Sequence, residues 1–305
     1  MGSIHQLILE KGKTGALREV LDRRVVEAAV TYLSAREPGI GFAFEGWAQT
    51  ALPHRRLPDE AAWQIRSGDA TLTVEPGRRR GASGRLEFVG VPYGSRARLI
   101  ILYIQSEALR TRSREIALGN SLRAWMTRLG IPLGGKSMHD VREQTERILR
   151  CRVTFELARQ RCHGLIHQHI VDEAMFERGG SRSGSIGADR ILLCQSFFAR
   201  LMRAPIPIEA SAVRAIANNS MAIDIYIWLA HYLPRLTGDR LLTWRAVQDQ
   251  FGTRFARRDH FRARFSDNLR LALAVLREAD VESRAEGILL RPSAKCSQAI
   301  PMETA

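Results

Sequence analysis

Residues 95–157 read SRARLIILYIQSEALRTRSREIALGNSLRAWMTRLGIPLGGKSMHDVREQTERILRCRVTFEL, and the order of elements in this stretch decides the fold. From Ser95 to Arg110, Leu99, Leu102, Ser106 and Leu109 fall at offsets of 3, 7 and 10, which predicts a helix with one buried face. Glu115–Leu118 has room only for a very short strand. Asn120 is a good N-cap for a second helix, in which Leu122, Met126 and Leu129 share a face. Gly130 and Pro132 stop it. Ser137 begins a third helix, with Asp140 in the first turn to complement the dipole and Val141, Thr145, Ile148 and Leu149 on the buried side. Arg152–Leu157 alternates through Val153, Phe155 and Leu157, and His163–Phe176 supplies a second strand. Helix, short strand, helix, turn, helix, hairpin is the order of a winged helix, a helix-turn-helix with a β-hairpin appended.

The order returns near the C-terminus without the same sequence. Asn219–Leu233 is a helix with Ala222, Ile225, Leu229 and Tyr232 along one side, ended by Pro234. Arg240–Thr243 is a short strand, Thr243 caps a helix through Phe251, and Gly252 closes it. A long helix runs from Arg258 to Ala279 on a narrow stripe of Phe261, Phe265, Leu269, Ala272 and Leu276. Val281–Arg284 and Gly287–Arg291 form a small hairpin.

Two stretches read as breaks by composition: Pro76–Gly84 (PGRRRGASG) and Gly179–Gly187 (GGSRSGSIG). The expected class is therefore α+β. Residues 1–84 form a mostly helical N-terminal extension, 85–178 a first winged-helix domain and 188–305 a second. In the extension, Ala16–Ala35 reads as a helix around Val20, Val25, Ala28 and Leu33, and Ala70–Val74 as a strand. Arg85–Val91 alternates around Leu86 and Phe88 as another strand.

Charge narrows the class of partner. Lys+Arg is 46 and Asp+Glu 32, a net charge of +14, and only Lys11, Lys13, Lys136 and Lys295 are lysines. Polyanions suit such a chain, because each neutralised phosphate releases condensed counterions. Arginine adds a planar fork that fits phosphate and guanine edges. No apolar run approaches the ~18 residues of a membrane span. The start MGSIHQLILEKGKTG lacks the pattern of a secretory signal, so the bacterial cytoplasm is the expected compartment. Cys151, Cys162, Cys194 and Cys296 include no C-x-x-C pair and do not suggest zinc; reduced thiols are expected.

One motif is a decoy. Gly130–Ser137 (GIPLGGKS) matches G-x-x-x-x-G-K-[ST] letter for letter, but a phosphate loop needs a buried strand in front, and Leu122–Leu129 has helical period. No hydrophobic run ends in an Asp that would supply a second carboxylate for magnesium. The preferred reading is a helix-turn-helix turn with Lys136 beside a phosphate. No cofactor is expected, and no Ser/His/Asp, Cys/His or paired-carboxylate constellation points to an enzyme. His163, His167 and His169 lie close together without a further metal ligand nearby. Trp125 and Trp228 read as core.

The basic band from Arg110 to Lys136 holds Arg110, Arg112, Arg114, Arg123, Arg128 and Lys136 against the single acid Glu115. These are the candidate phosphate contacts, together with Arg254 and Arg257 ahead of the last long helix. Candidate base-reading residues sit on the two groove-facing helices: His139 and Arg147 on the first, His260, Arg262, Arg264 and Asp267 on the second. Glu143 and Glu146 on the first helix oppose phosphate, so the second is expected to read bases more than the first. The first helix is read as serving partly for dimer contacts.

The blocks Val91-Pro-Tyr-Gly94, Arg98–Gly119 (RLIILYIQSEALRTRSREIALG), Ser121-Leu122 and Arg128–Gly135, with Phe261-Arg262 and Ile288–Ser293, resemble plasmid-encoded RepA-type replication initiators. The likeness runs from Arg85 to Ser293; residues 1–84 match nothing in the family's pattern. The resemblance implies binding to repeated double-stranded DNA sites at a plasmid origin, help in opening it, and recruitment of the host replicative helicase. It also implies repression of the protein's own gene as a homodimer, and it carries no catalytic residues. Two other readings stand beside it: a winged-helix transcriptional repressor without a replication role, and a nucleotide hydrolase using Gly130–Ser137.

Overall fold

The computed structural model describes residues 3–20, 22–118, 123–124, 126–127, 129–159, 162–175, 190–253 and 255–293. The chain opens with α1 (Ser3–Glu19) and α2 (Arg23–Leu33). A single helix over 16–35 is expected; the structure breaks it because Asp22 takes extended backbone and caps α2, accepting from Arg24 N at 3.0 Å. Then come β1 (Ile40–Phe44), β2 (Trp63–Ser67), β3 (Ala70–Glu75), β4 (Gly77–Arg80) and β5 (Leu86–Gly90). The long α3 (Gly94–Thr111) and short β6 (Glu115–Ala117) follow; after them 123–124 and 126–127 are helical, and α4 spans Gly135–Arg150. Next are β7 (Arg152–Arg159), β8 (Cys162–Gln168), β9 (Val171–Met175), β10 (Arg190–Leu193), α5 (Gln195–Arg203), β11 (Pro205–Glu209) and α6 (Ala210–Ala215). The chain continues through α7 (Ser220–Tyr232), β12 (Arg240–Thr243), α8 (Trp244–Phe251), α9 (Arg258–Leu273), β13 (Val281–Ser283) and β14 (Gly287–Leu290). The class is mixed helix and sheet, with small antiparallel sheets.

The first 84 residues are not a mostly helical appendage. In β2 and β3 every second residue is buried (Trp63, Ile65, Leu72, Val74), the signature of half-buried strands. β3 pairs with β7, setting Leu72 against Phe155 and Val74 against Val153, so one antiparallel sheet runs β2-β3-β7-β8. The β7–β8 hairpin expected after α4 is present, widened to four strands by the N-terminal segment. The Pro76–Gly84 stretch is likewise no linker: β4 and β5 form a hairpin. Gly179–Gly187 lies outside the described residues.

Residues 163–176, expected as one strand, hold β8 and β9 in different sheets. β9 pairs with β10, and β10 with β6, so the short strand after α3 finds its partner in β10 rather than in the hairpin. Near the C-terminus β12 pairs with β14, and β14 with β13. There α9 ends at Leu273, six residues early, where Val275 and Leu276 bond back only three residues and tighten the chain into a turn.

Two helices form the centre. Ala97–Gln105 of α3 and Met221–Ala230 of α7 are buried on every side. One-faced helices are expected, but Leu99-Ile-Ile-Leu-Tyr-Ile104 and Ile225-Tyr-Ile-Trp-Leu-Ala230 are apolar all round, so neither helix has a wet face to offer. They pack on each other, and a continuous apolar core runs from Val25 to Leu290. Polar side chains of α3 are used as fasteners. Gln105 Oε1 accepts from Phe44 N at 3.0 Å and Ser106 Oγ from Phe42 N at 2.9 Å, docking β1.

Candidate nucleic-acid interface

α9 is held by its apolar stripe. Phe261, Phe265, Leu269 and Ala272 are buried, with the Phe261 and Phe265 rings 5.7 Å apart and tilted by 42°, and Trp244 edge-on to Phe265 at 6.0 Å. The opposite side carries Arg258, His260 and Arg264, all exposed. The guanidiniums of Arg258 and Arg264 make no ion pair or hydrogen bond with a described residue, so both are available to an incoming anion. The other expected contacts on this helix are engaged. Arg262 lies over the Trp244 ring at 4.9 Å and donates to Ala285 O at 3.1 Å, bracing the β13–β14 hairpin. Asp267 pairs with Arg270 at 2.6 Å, and Arg257 with Asp259, both exposed pairs. Arg254 lies outside the described residues. Arg258 was absent from the expected set, although it begins the helix beside Arg257.

On α4, Lys136 and His139 are exposed, as a contact surface requires. Arg147 is a correction: only 2% exposed, it reads no base. Its Nη2 donates to Asp59 and to Glu143, each at 2.9 Å, its Nη1 to Val91 O at 3.2 Å, and its guanidinium lies over the Tyr93 ring at 5.2 Å. The cause is β5 and the loop after it, which cover a second strip of α4. Gly90 makes this possible: at φ 81°, a Cβ there would lie 2.0 Å from Arg147 Nη1. The two acids of α4 are also neutralised from within. Glu143 is shared by Arg147, Arg56 at 3.7 Å and the Tyr93 hydroxyl at 3.3 Å, and Glu146 by Arg79 at 2.8 Å and Arg150 at 3.3 Å. The repulsion that these carboxylates threaten is thus largely cancelled.

The basic band divides. Arg110 is exposed but paired with Glu107 at 2.6 Å. Arg112 is exposed at the C-cap of α3, in left-handed backbone at φ 50°. Arg114 is a structural tie, not a free contact: Nε donates to Leu193 O at 2.7 Å and Nη2 to Asp172 at 2.8 Å, joining β6, β9 and β10. Arg123 is exposed; Arg128 lies outside the described residues. The side chains of His163 and His167 and that of Trp125 also lie outside them, while Trp228 is core, 1% exposed.

Gly130–Gly134 is a turn between helical residues 126–127 and α4, which Gly135, Lys136 and Ser137 begin; Gly130 sits at φ 67° and Ile131 N is bonded back to Met126 O at 2.9 Å. Among the described residues no strand runs into it.

Sequence reasoning passed over Arg78-Arg79-Arg80, because their Gly-rich setting reads as a linker. In the structure Arg78 stacks on Phe88 at 4.3 Å and Arg79 bonds to Glu146, laying the β4–β5 hairpin along α4. Arg55, exposed and without an ion pair among the described residues, lies in the loop that faces α9. Among the described residues no helix is long and apolar enough to cross a membrane.

The architecture resembles that of domains 2 and 3 of RctB: the selenomethionine crystal structure aligns at a TM-score of 0.51 and 12% identity, covering 81% of this chain and 97% of that one. A second RctB domains 2–3 structure aligns at 0.43 and 11% identity, covering 79% and 93%. A search of curated protein sequences found no match. The family model of the plasmid encoded RepA protein matches residues 91–246, from the loop before α3 to the first turn of α8, and the chain belongs to this replication-initiator family.

Proposed function

We propose that this chain initiates plasmid replication by binding repeated double-stranded sites at its origin, using two winged-helix units and no catalytic chemistry. The observation that carries the reading is the exposed face of α9, with Arg258, His260 and Arg264, in a chain of the RepA family. Around it the order helix, strand, helix, helix, hairpin and the pairing of β12 with β14 support the winged-helix assignment of the second unit. In this reading α9 enters a major groove, Arg264 and His260 approach base edges, and Arg258 and Arg257 approach phosphates. Lys136, His139 and Arg123 give the first unit a weaker, backbone-directed contact. Binding at adjacent repeats strains a neighbouring tract of duplex, the host replicative helicase is the next partner, and a homodimer represses the gene.

Footprinting the protein on DNA flanking its own gene tests this. Regularly spaced protected repeats are expected, and uniform protection without repeats would overturn it. The Arg264→Ala variant should lose about 1–3 kcal/mol on the specific site and relax preference at one base position.

A further inference from the structure

Leu86 and Phe88 of β5 are 61% and 37% exposed, two of the six large apolar side chains exposed among the described residues. Single exposed apolar residues are ordinary, but these two are neighbours on one face of a hairpin that is exposed along most of 78–88. The register sets Phe88 opposite Arg78 and Leu86 opposite Arg80, so alternation puts all four side chains on the same face. Arg79 takes the other face with Glu87 and bonds to Glu146 of α4, so the four point away from that helix. The outer face is an apolar pair bordered by guanidiniums. Arg78 lies over the Phe88 ring at 4.3 Å, and among the described residues neither Arg78, Arg80 nor Arg85 forms an ion pair.

Charge chooses the occupant. A second copy of the chain would bring like guanidiniums together across a symmetric contact. A duplex offers phosphates for the arginines and, in its minor groove, base steps that apolar side chains can part. The hairpin also stands at a fitting distance. Glu146, where it is fastened, lies ten positions after Lys136, about 15 Å along α4 and close to the half turn of about 17 Å between neighbouring grooves. We propose that the outer face of β4–β5 is a minor-groove wedge, with Leu86 and Phe88 entering one base step and unstacking it between phosphates held by Arg78 and Arg80. The wedge rests on the DNA-binding reading of this chain and supplies the side chains that distort the duplex. A pyrimidine–purine step such as TA, easily unstacked, is the preferred point of entry.

Permanganate, which oxidises unstacked thymines, decides when applied to a supercoiled plasmid carrying the DNA that flanks the gene, with footprinting of the same complexes. The full-length parent protein should make thymines reactive within or directly beside a protected repeat. The double variant Leu86→Ser with Phe88→Ser should keep the protection at a similar protein concentration and lose the reactivity about tenfold, since nothing then offsets the cost of unstacking. Phe88→Leu, which keeps an apolar wedge, should retain most of it. Both side chains are exposed, so the urea midpoints of these variants should stay with the parent's. Reactivity that survives in the double variant would overturn the wedge and leave this face to an acidic protein partner. Protection by the parent without any reactive thymine would overturn it too, as would a double variant that loses protection and reactivity together. No protection by the parent at all would instead end the DNA-binding reading, and the wedge with it.

Discussion

Arg98 of α3 and Asp224 of α7 form a buried, two-pronged ion pair, Nε to Oδ1 at 2.6 Å and Nη2 to Oδ2 at 2.7 Å. The remaining donors of Arg98 reach Leu52 O, Pro53 O and Gly94 O, so one guanidinium ties the leading helix of each half to the N-terminal loop. Burial pushes the Asp224 carboxyl upward, and the adjacent Arg98 opposes it. Removing one partner strands the other without water. Asp224→Ala should therefore cost about 3–5 kcal/mol in urea unfolding, while the paired exchange Arg98→Met with Asp224→Leu should recover much of it. A single-variant loss under about 1 kcal/mol would place the pair with ordinary surface bridges.

Arg147 and Arg264 lie on comparable helices and should fail in opposite ways. Arg147→Ala leaves Glu143 and Asp59 to Arg56 and water and opens a void under β5, so a stability loss of about 1–3 kcal/mol is expected. Arg264→Ala touches no partner and should stay within about 0.5 kcal/mol in stability while losing DNA affinity. Unfolding midpoints and DNA titrations on the same two preparations separate a positioning residue from a contacting one.

This contrast shows where the sequence was legible. Some local signals are legible: Thr243 caps α8 as its place before the helix predicts, accepting from Ala246 N at 3.3 Å. Facing was read less well, because periodicity marks one buried stripe and is silent on a second. Nothing in Ser137–Arg150 announces that β5 will cover Arg147. Long-range pairing was unreadable for the same reason: Val74 and Val153 are cross-strand neighbours, yet 79 positions apart in the chain. Half-buried strands also look alike whether their partner is next in sequence or far away, so β2 and β3 read as an appendage. On α9 the exposed face read correctly in part, since Arg264 and His260 sit opposite a continuous stripe; Arg262 did not, because its partner Trp244 belongs to another helix.

Histidine burial sets a pH window. Burial first, then Arg98, lowers His54 to about 3, and burial, then Arg235, lowers His231 to about 4, against an ordinary 6.5. Between those values the unfolded chain takes up protons that the folded chain refuses. Stability is thus complete above 6.5 and declines as pH falls through the window. Urea midpoints should drop between pH 7 and 4, less steeply in His54→Gln. Parallel pH profiles for the two proteins would remove His54 from this role.

The β4–β5 hairpin gives the last test. Arg78 lies over Phe88 and Arg80 donates to Gly84 O at 3.0 Å, and among the described residues neither they nor Arg85, at the turn, form an ion pair. Arg79 and Arg150 fasten this ribbon to α4, the helix that presents Lys136 and His139. In the proposed reading, a ribbon so placed would add phosphate contacts beside the first unit. Each such contact contributes about 0.9 to the slope of log affinity against log salt. Replacing Arg78, Arg80 and Arg85 together by alanine should flatten that slope by about 2–3 while leaving base preference unchanged, because phosphates position but do not specify. An unaltered slope would mean that the hairpin points away from the duplex, and that α4 meets DNA, if at all, without it.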